Sequence, residues 1–567
     1  MKIFKEELTY MKPLPIGVDD FKKLIDKNYY YVDKTLLIKE LLDKKGEVNL
    51  FTRPRRFGKT LNMSMLQRFF EKTEEDNSYL FKGLKIMNES KEYLDYMGKY
   101  PVINLSLKSA KQPNFEMAYR KIKEVIADEF KRYSEVLNGN VLFEDEKEDF
   151  TNIMLQKADL STYNTSLKFL SKCLKRYYKK DVIILIDEYD VPLENAFFEG
   201  FYDEMVKFLR SLFESALKTN PSLEFAVVTG CLRISKESIF TGLNNLKINS
   251  ILDDKYAEYF GFTDKEVIKA CNDYDMQQKY EEIKEWYNGY IFGETNVYNP
   301  WSVMQYIDDL KTNINKYPSS YWANTSSNSI VKTLIERADA ITKEEIEFLI
   351  EGKTIEKPIH EDITYDEVYD TMDNLWNFMF FTGYFKKVSE RINEIDDRFI
   401  ELAIPNKEVK YIFRTKIKKW FYEMIKGENL NKFYSAMFQG DEQTFEDEIT
   451  NLLEKSISFN DSYENFYHGF LAGIFSTLHN YKVKSNRENG IGRSDIIIQS
   501  PISQGKAIII EIKVAKDIKD LEKKCNEALE QIEEKKYDME LIQDGYNNIL
   551  KYGITFFNKK CMVKLKK

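Results

Sequence analysis

In the first half of the chain, short and almost uninterrupted apolar runs alternate with long stretches of helical periodicity. Asn49 to Thr52, Pro101 to Leu107, Val182 to Ile186 and Phe225 to Thr229 have the composition of strands buried on both faces. Their alternation with helices predicts an α/β fold built on a parallel sheet that is covered on both sides. Thr263-Asp264-Lys265-Glu266 then has the pattern of a capping box and opens a new helix. This places a first domain at 1–262. Residues 263–430 read as mainly helical, a helical lid or winged-helix-like region. That region begins with a turn-rich connector around Trp286-Tyr287-Asn288-Gly289-Tyr290 and contains a strand-like pair at Gly383 to Lys386 and Phe399 to Ile404. In the last part, 431–567, the pattern changes again. A helix through Tyr463 to Phe470 precedes strands at Tyr481 to Lys484, Ser494 to Ile498 and Lys506 to Val514. A helix through Ala528 and Gln531 and a strand near Ile554 to Phe557 complete an α-β-β-β-α-β order.

The length of 567 residues calls for two or three domains. With 43% hydrophobic and 31% charged residues the chain reads as soluble and globular, and its net charge of −9 argues against nonspecific coating of nucleic acid. Local basic stretches remain at Arg53 to Arg56 and in the tail from Lys559 to Lys567, where a frayed, solvated end is an equal alternative. Five scattered cysteines without a Cys-x-x-Cys pair, and only three histidines, point to a reduced cytoplasm and away from a zinc site. The N-terminus is too charged for a signal peptide, and no apolar run approaches the roughly 20 residues needed to span a bilayer.

Between the first apolar run and the following helix lies Arg53-Pro54-Arg55-Arg56-Phe57-Gly58-Lys59-Thr60. A strand feeding a helix through Gly-Lys-Thr is how a phosphate-binding loop is built: helix N–H groups face a phosphate, Lys59 adds a compact positive charge, and the Thr60 hydroxyl is a Mg²⁺ ligand. Arg53 stands where the general pattern has its first glycine. The Val182 to Ile186 strand ends in Asp187-Glu188, so Asp187 is expected to hold Mg²⁺ and Glu188 to polarise the water that attacks the γ-phosphate. Phe225 to Thr229 ends in Thr229, placed to position that water or to cap the next turn. Arg233 is placed to neutralise transition-state charge or to pair with a surface carboxylate.

These three segments resemble the prokaryotic AAA-ATPase-like family, whose members carry an Arg-Pro-Arg-Arg-Phe-Gly-Lys signature and also lack the first glycine. The resemblance starts at Leu14-Pro15-Ile16-Gly17 and Tyr31-Val32-Asp33-Lys34-Thr35 and extends over nearly the whole chain. It implies an ATP site comprising Arg55, Arg56, Phe57, Gly58, Lys59 and Thr60 with Asp187, Thr229 and Arg233.

Asp495, opening one strand, and Glu511-Ile512-Lys513, ending the next, resemble the PD-(D/E)XK nuclease superfamily. Glu511 and Lys513 share one face of a strand by its period of two, and a hairpin partner brings Asp495 opposite them. The resemblance implies Mg²⁺, or Mn²⁺, on the two carboxylates, with Lys513 orienting a water. Glu464 is a further candidate ligand and Gln531 a supporting residue. In a strand as apolar as Ile508 to Val514, two charges on one face need partners or a metal. His468 and His479 fall on the preceding helix and are read as structural.

Two constellations for phosphate chemistry in one chain predict an ATPase that controls a Mg²⁺-dependent nuclease acting on nucleic acid, DNA ahead of RNA. Defence against foreign DNA enters by analogy alone. The alternative is a nucleotide-switched regulatory or nucleic-acid-binding protein that does not cut. An oligomer in which Arg233 serves a neighbouring subunit is compatible with the sequence, and nothing in it points to a membrane.

Overall fold

The apolar runs emerge as strands of two separate sheets. The computed structural model describes residues 11–232, 239–240, 243–322, 329–361, 364–394, 396–427, 429–455, 464–478, 480–489, 492–502 and 505–566. It divides into two compact units, one of residues 1–325 with 356–410 and the other of 326–355 with 411–567.

In the first unit, β1 (Val48–Thr52), β2 (Val102–Ser106), β3 (Val182–Asp187), β4 (Leu223–Gly230) and β5 (Leu246–Asn249) form a five-stranded sheet in the order β2-β3-β4-β1-β5. Every pair is parallel. The helices Lys59–Phe70, Phe115–Arg132, Leu160–Tyr178 and Tyr202–Leu217 lie between the strands in sequence, and each has a buried apolar stripe. β1 and β3 are buried along their whole length, as their near-continuous apolar runs require. Register sets Thr52 beside Gly230 and Ile186 beside Val228, so the ends of β1, β4 and β3 come out together on one edge. The expected capping box is formed: Glu266 accepts the Thr263 N–H at 2.8 Å.

Two small elements escaped the sequence reading. β5 is only four residues long, and β6 (Tyr290–Phe292) and β7 (Thr295–Val297) make a hairpin inside the stretch read as a connector. Further on, β8 (Ile355–Pro358), β9 (Lys386–Ile392) and β10 (Arg398–Ala403) form a sheet in the order β8-β10-β9. The strand-like pair is therefore real, although its first member starts where Gly383 to Lys386 was expected to end.

The second unit has the predicted order with one strand added. β11 (Lys482–Asn489), β12 (Gly492–Gln499), β13 (Lys506–Val514), β14 (Asn548–Phe557) and β15 (Lys560–Lys566) lie side by side in chain order. Only the β13–β14 pair is parallel, and the Leu521–Glu534 helix provides its crossover. Both faces of the sheet are covered. Ile496, Ile498, Ile508, Ile510 and Ile512 pack in one core with the helices Asn431–Gln439, Glu442–Lys455 and Glu464–Phe475, while Ile497, Ala507 and Ile509 pack with Ile532 and Tyr537 on the other side.

The tail corrects the frayed-end alternative. Lys560–Lys566 pairs antiparallel with β14, and Cys561 and Val563 point inward while Lys560 and Lys566 at its two ends are exposed. That alternation was visible in the sequence but was outweighed by the density of charge.

Glu408, in the first turn of the Lys407–Gly427 helix, is fully buried in the first unit. It accepts hydrogen bonds from Ser302 Oγ at 2.8 Å and Trp322 N at 2.8 Å. Burial pushes its carboxyl up to about 7 in spite of these bonds. A raised folded pKa means that this stabilisation is full below about pH 4 and is lost as pH rises through the folded value. Glu408→Gln keeps the acceptor without the charge. The stability of the natural protein is expected to fall relative to this variant between about pH 5 and pH 8, by on the order of 3 kcal/mol at the upper end. Denaturant unfolding across that range measures it, and a gap independent of pH refutes it.

Candidate functional sites

β1 delivers the chain to the sheet edge at Thr52, and the Lys59–Phe70 helix leaves it with Gly58 as its N-cap at φ 83°. Gly58 has no side chain to cap the helix, so the first-turn N–H groups point to the loop. The other left-handed residue of the loop is Arg56, at φ 72°, whereas Arg53 is not in that region. The position lacking glycine therefore needs no glycine. Arg53 N donates to Gly230 O at 3.0 Å and prolongs the β1–β4 pairing by one residue.

The predicted residues converge at the β3–β4–β1 edge. Thr60 Oγ1 donates to Asp187 Oδ2 at 2.7 Å, and Thr229 Oγ1 donates to Asp187 Oδ1, so one carboxylate takes a hydroxyl on each oxygen. Lys59 Nζ donates to the carbonyls of Arg53 at 2.8 Å and Pro54 at 2.9 Å, with Cys231 Sγ 3.6 Å away. Glu188 is half-buried at φ 54°, a backbone region that a non-glycine residue occupies at a cost and that clusters at functional sites. Burial, then the neighbouring charge of Asp187, raises its pKa, with Lys59 opposing.

The flanking arginines have partners of their own. Arg55 pairs with Glu194, and Arg56 is exposed with its guanidinium 4.3 Å from the Trp301 ring. Phe57 is buried against Tyr290 and Phe292 at ring distances of 5.0 and 5.2 Å, which gives it a packing role. Arg233 lies outside the described residues.

Two contributors had no assigned role in the sequence reading. Buried Asp190 accepts the N–H groups of Cys231 at 2.6 Å and Leu232 at 3.2 Å, so it fastens the turn after Thr229 to the turn after Asp187. The approach is tight: a Cβ on Gly230 would lie 2.4 Å from the Tyr189 ring and 2.9 Å from Asp190 Oδ1. Glu194 is the other, and its one sequence signal is an acid in the first turn of a buried helix beside an arginine-rich loop.

In the second unit, the Ile496–Ile510 register pair puts Asp495 opposite Glu511 one step further along. Asp495 Oδ2 accepts the Ile512 N–H at 2.7 Å, and Lys513 Nζ lies 3.1 Å from Glu511 Oε1. Gln531, from the covering helix, also donates to Glu511 Oε1 and reaches the Tyr537 hydroxyl at 3.2 Å. Glu511 is only 2% exposed. Burial raises the pKa of Asp495, with the Ile512 amide, Lys513 and His468 opposing. His468 Nε2 is 3.0 Å from the Asp495 carbonyl oxygen, in keeping with a structural role. Glu464 opens the Glu464–Phe475 helix, but its side chain and His479 lie outside the described residues.

Among the described residues, no group of three or more His, Cys, Asp or Glu side chains is gathered to hold a metal. Mg²⁺ does not demand one: it commonly takes one or two carboxylates, keeps several waters and adds substrate phosphates. Thr60 with Asp187, and Asp495 with Glu511, offer the hard oxygen donors that suit it.

The two units thus carry a phosphate-loop parallel sheet and a mixed sheet with an acid-acid-lysine site. Residues 15–240 match the family described as Predicted AAA-ATPase, and residues 462–566 match the PD-(D/E)XK nuclease superfamily, so the chain joins an AAA-ATPase-like region to a C-terminal domain of that superfamily. A relative described as an uncharacterized protein in the vnfD 5′ region of Azotobacter chroococcum mcd 1 is 27% identical over 333 residues, 58% of this chain and 57% of that protein. No solved structure matches. Among the described residues, no helix is long and apolar enough to cross a membrane.

The covering helix reaches Glu511 because the strand beneath it is thin at one point. Gly553 pairs with Glu511 in register, and a Cβ there would lie 2.5 Å from the Cys525 carbonyl oxygen. Gly553→Ala is expected to lift the helix, cost about 1–3 kcal/mol in urea unfolding and loosen Gln531 from Glu511. An unchanged midpoint would contradict the close approach.

Proposed function

We propose that this protein binds and hydrolyses ATP with Mg²⁺ in its AAA-ATPase-like region, and that this region controls a Mg²⁺-dependent phosphodiesterase in its C-terminal domain, acting on DNA ahead of RNA. The observation that carries the reading is the double hydrogen bond onto Asp187 from Thr60 and Thr229. It joins the start of the phosphate-loop helix, a strand-end acid and the strand between them into one polar centre. Lys59 and the first-turn N–H groups bind and orient the phosphates, Glu188 takes the proton of the attacking water, and Thr229 orients that water through Asp187. Arg55 and Arg56 supply charge near the phosphates, and Arg233 is the candidate for transition-state neutralisation. Bound Mg²⁺ supplies charge stabilisation and a more acidic water at each site. In the C-terminal domain Asp495 and Glu511, with Glu464 as a further candidate, are the oxygen donors, Lys513 orients the attacking water, and Gln531 holds Glu511. A role in defence or against mobile elements, a cytoplasmic location and an oligomeric state belong to the same reading.

One observation favours the reading without cleavage. Lys513 Nζ and Gln531 Nε2 both engage Glu511 Oε1, so these two side chains already satisfy part of that carboxylate without a metal.

Activity assays separate the two. Glu188→Gln is expected to slow ATP turnover by about 10²–10⁴-fold while ATP still binds. Lys513→Ala is expected to abolish cutting and leave ATP hydrolysis intact, and Lys59→Ala to abolish both, because the units are coupled. If the natural protein with ATP and Mg²⁺ or Mn²⁺ leaves DNA and RNA of every topology uncut, as Lys513→Ala does, the cleavage reading is wrong. Cutting that persists in Lys59→Ala would refute the coupling.

A further inference from the structure

Arg53 is the most deeply buried cation of the phosphate loop, at 0% exposure. Its guanidinium lies between two aromatic rings, 5.3 Å from the centroid of Phe260 and 5.1 Å from that of Phe292. Nη1 donates to the carbonyls of Asn249 at 2.7 Å and Thr52 at 2.9 Å, while Nε and Nη2 have no hydrogen-bond partner. Among the described residues, no carboxylate forms an ion pair with it. The acid whose field reaches it, Asp253, is engaged by the N–H and hydroxyl of Ser250 at 2.7 and 3.2 Å.

An unpaired cation in a packed core opposes folding, and an apolar side chain of similar volume is the more stable choice there. Burial pulls the Arg53 pKa down to about 9, which leaves it charged at neutral pH. Its main chain meanwhile belongs to the loop, since the Arg53 carbonyl is one of the two that hold Lys59 Nζ. A charge that packing disfavours, placed behind a loop built to receive an anion, finds its counter-charge in the ligand.

We propose that Arg53 is a positioning residue of the nucleotide site: a buried cation whose charge is neutralised by the bound triphosphate, and whose guanidinium ties the Thr52 and Asn249 carbonyls at the strand ends from which the Lys59-holding loop departs. It does not touch the phosphates. Its field acts through the low-dielectric core, so its effect grows with the negative charge of the ligand. The proposal rests on the ATP-binding reading above and deepens it.

Calorimetric titration with ATP, ADP and AMP, each with Mg²⁺, tests it on Arg53→Met, Arg53→Gln and Arg53→Lys, with melting temperatures recorded without nucleotide. Arg53→Met and Arg53→Gln are expected to melt no lower than the natural protein, yet to bind ATP about tenfold more weakly, ADP less affected and AMP hardly at all. Arg53→Lys, titrated at about pH 6 where a buried ammonium holds its proton, keeps the charge and is expected to retain the preference for ATP over AMP. Equal losses for ATP, ADP and AMP, or affinities unchanged in both neutral variants, would overturn the proposal. Should both neutral variants fail to fold, Arg53→Lys decides, because a folded lysine variant that no longer prefers ATP over AMP also overturns it. A natural protein that binds no nucleotide, like Lys59→Ala, removes the ATP site itself and this role with it. Normal binding by the natural protein and its loss in Lys59→Ala confirm the site independently of Arg53.

Discussion

The first unit is organised around one carboxylate with two hydroxyls on it. Asp187 ends β3, Thr229 sits near the end of β4, and Thr60 begins the helix that follows β1. Neighbouring strands lie roughly 5 Å apart, so β1 and β3, with β4 between them, are about 10 Å apart. A side chain on β1 could not cover that gap, but a helix rising from its end can lean across, and Thr229 fills the middle. The strand order is thus a condition for the site, and the polar centre in turn fixes how the three strand ends are cut off. Asp190 then repeats the device one turn further on with backbone amides in place of hydroxyls. The close contact at Gly230 follows from clamping two turns together.

The second unit reaches a similar end by another route. Its central strands are apolar on both faces, and only at one end of one face does the alternation give way to Asp495, Glu511 and Lys513. Three ionisable groups in a packed face are tolerated because each has a fixed polar neighbour: the Ile512 amide for Asp495, and Lys513 and Gln531 for Glu511. Gly553 is the structural counterpart of that tolerance, since it lets the helix carrying Gln531 come close enough to serve Glu511.

The parts legible in the sequence are those in which a residue's neighbours are set by local geometry. The four strands of the first sheet follow from their continuous apolar runs, the capping box from its Thr-x-x-Glu spacing and the face shared by Glu511 and Lys513 from the strand period of two, and all are found. What was not legible depends on partners distant in sequence. β5 and the β6–β7 hairpin are too short to carry a period and are fixed by pairing or by the aromatic packing around Phe57. Asp190 and Glu194 read as ordinary acids because the groups they meet, Cys231 with Leu232 and Arg55, lie 41 or more residues away in the chain. Arg53 is the clearest case. In the sequence it shows only as a departure from the general glycine pattern, because its aromatic neighbours at 260 and 292 belong to segments with no visible link to the loop.

The same logic gives the proposed control of one unit by the other a physical route. Residues 356–410 fold with the phosphate loop, yet in sequence they lie between 326–355 and 411–567 of the second unit. Within the first unit this segment rests on the loop itself: Gly383, at φ 94°, has room for no more than a light contact, since a Cβ there would lie 3.0 Å from Pro54. Buried Tyr365 lies within the fields of Arg55, Asp190 and Glu194. Pro54 is also one of the two residues whose carbonyls hold Lys59. In the proposed function, a phosphate that draws Lys59 away loosens those carbonyls, and the segment packed on Pro54 is joined to the second unit by covalent chain at both ends. The proposed control by that route asks only for a stiff segment and two covalent junctions.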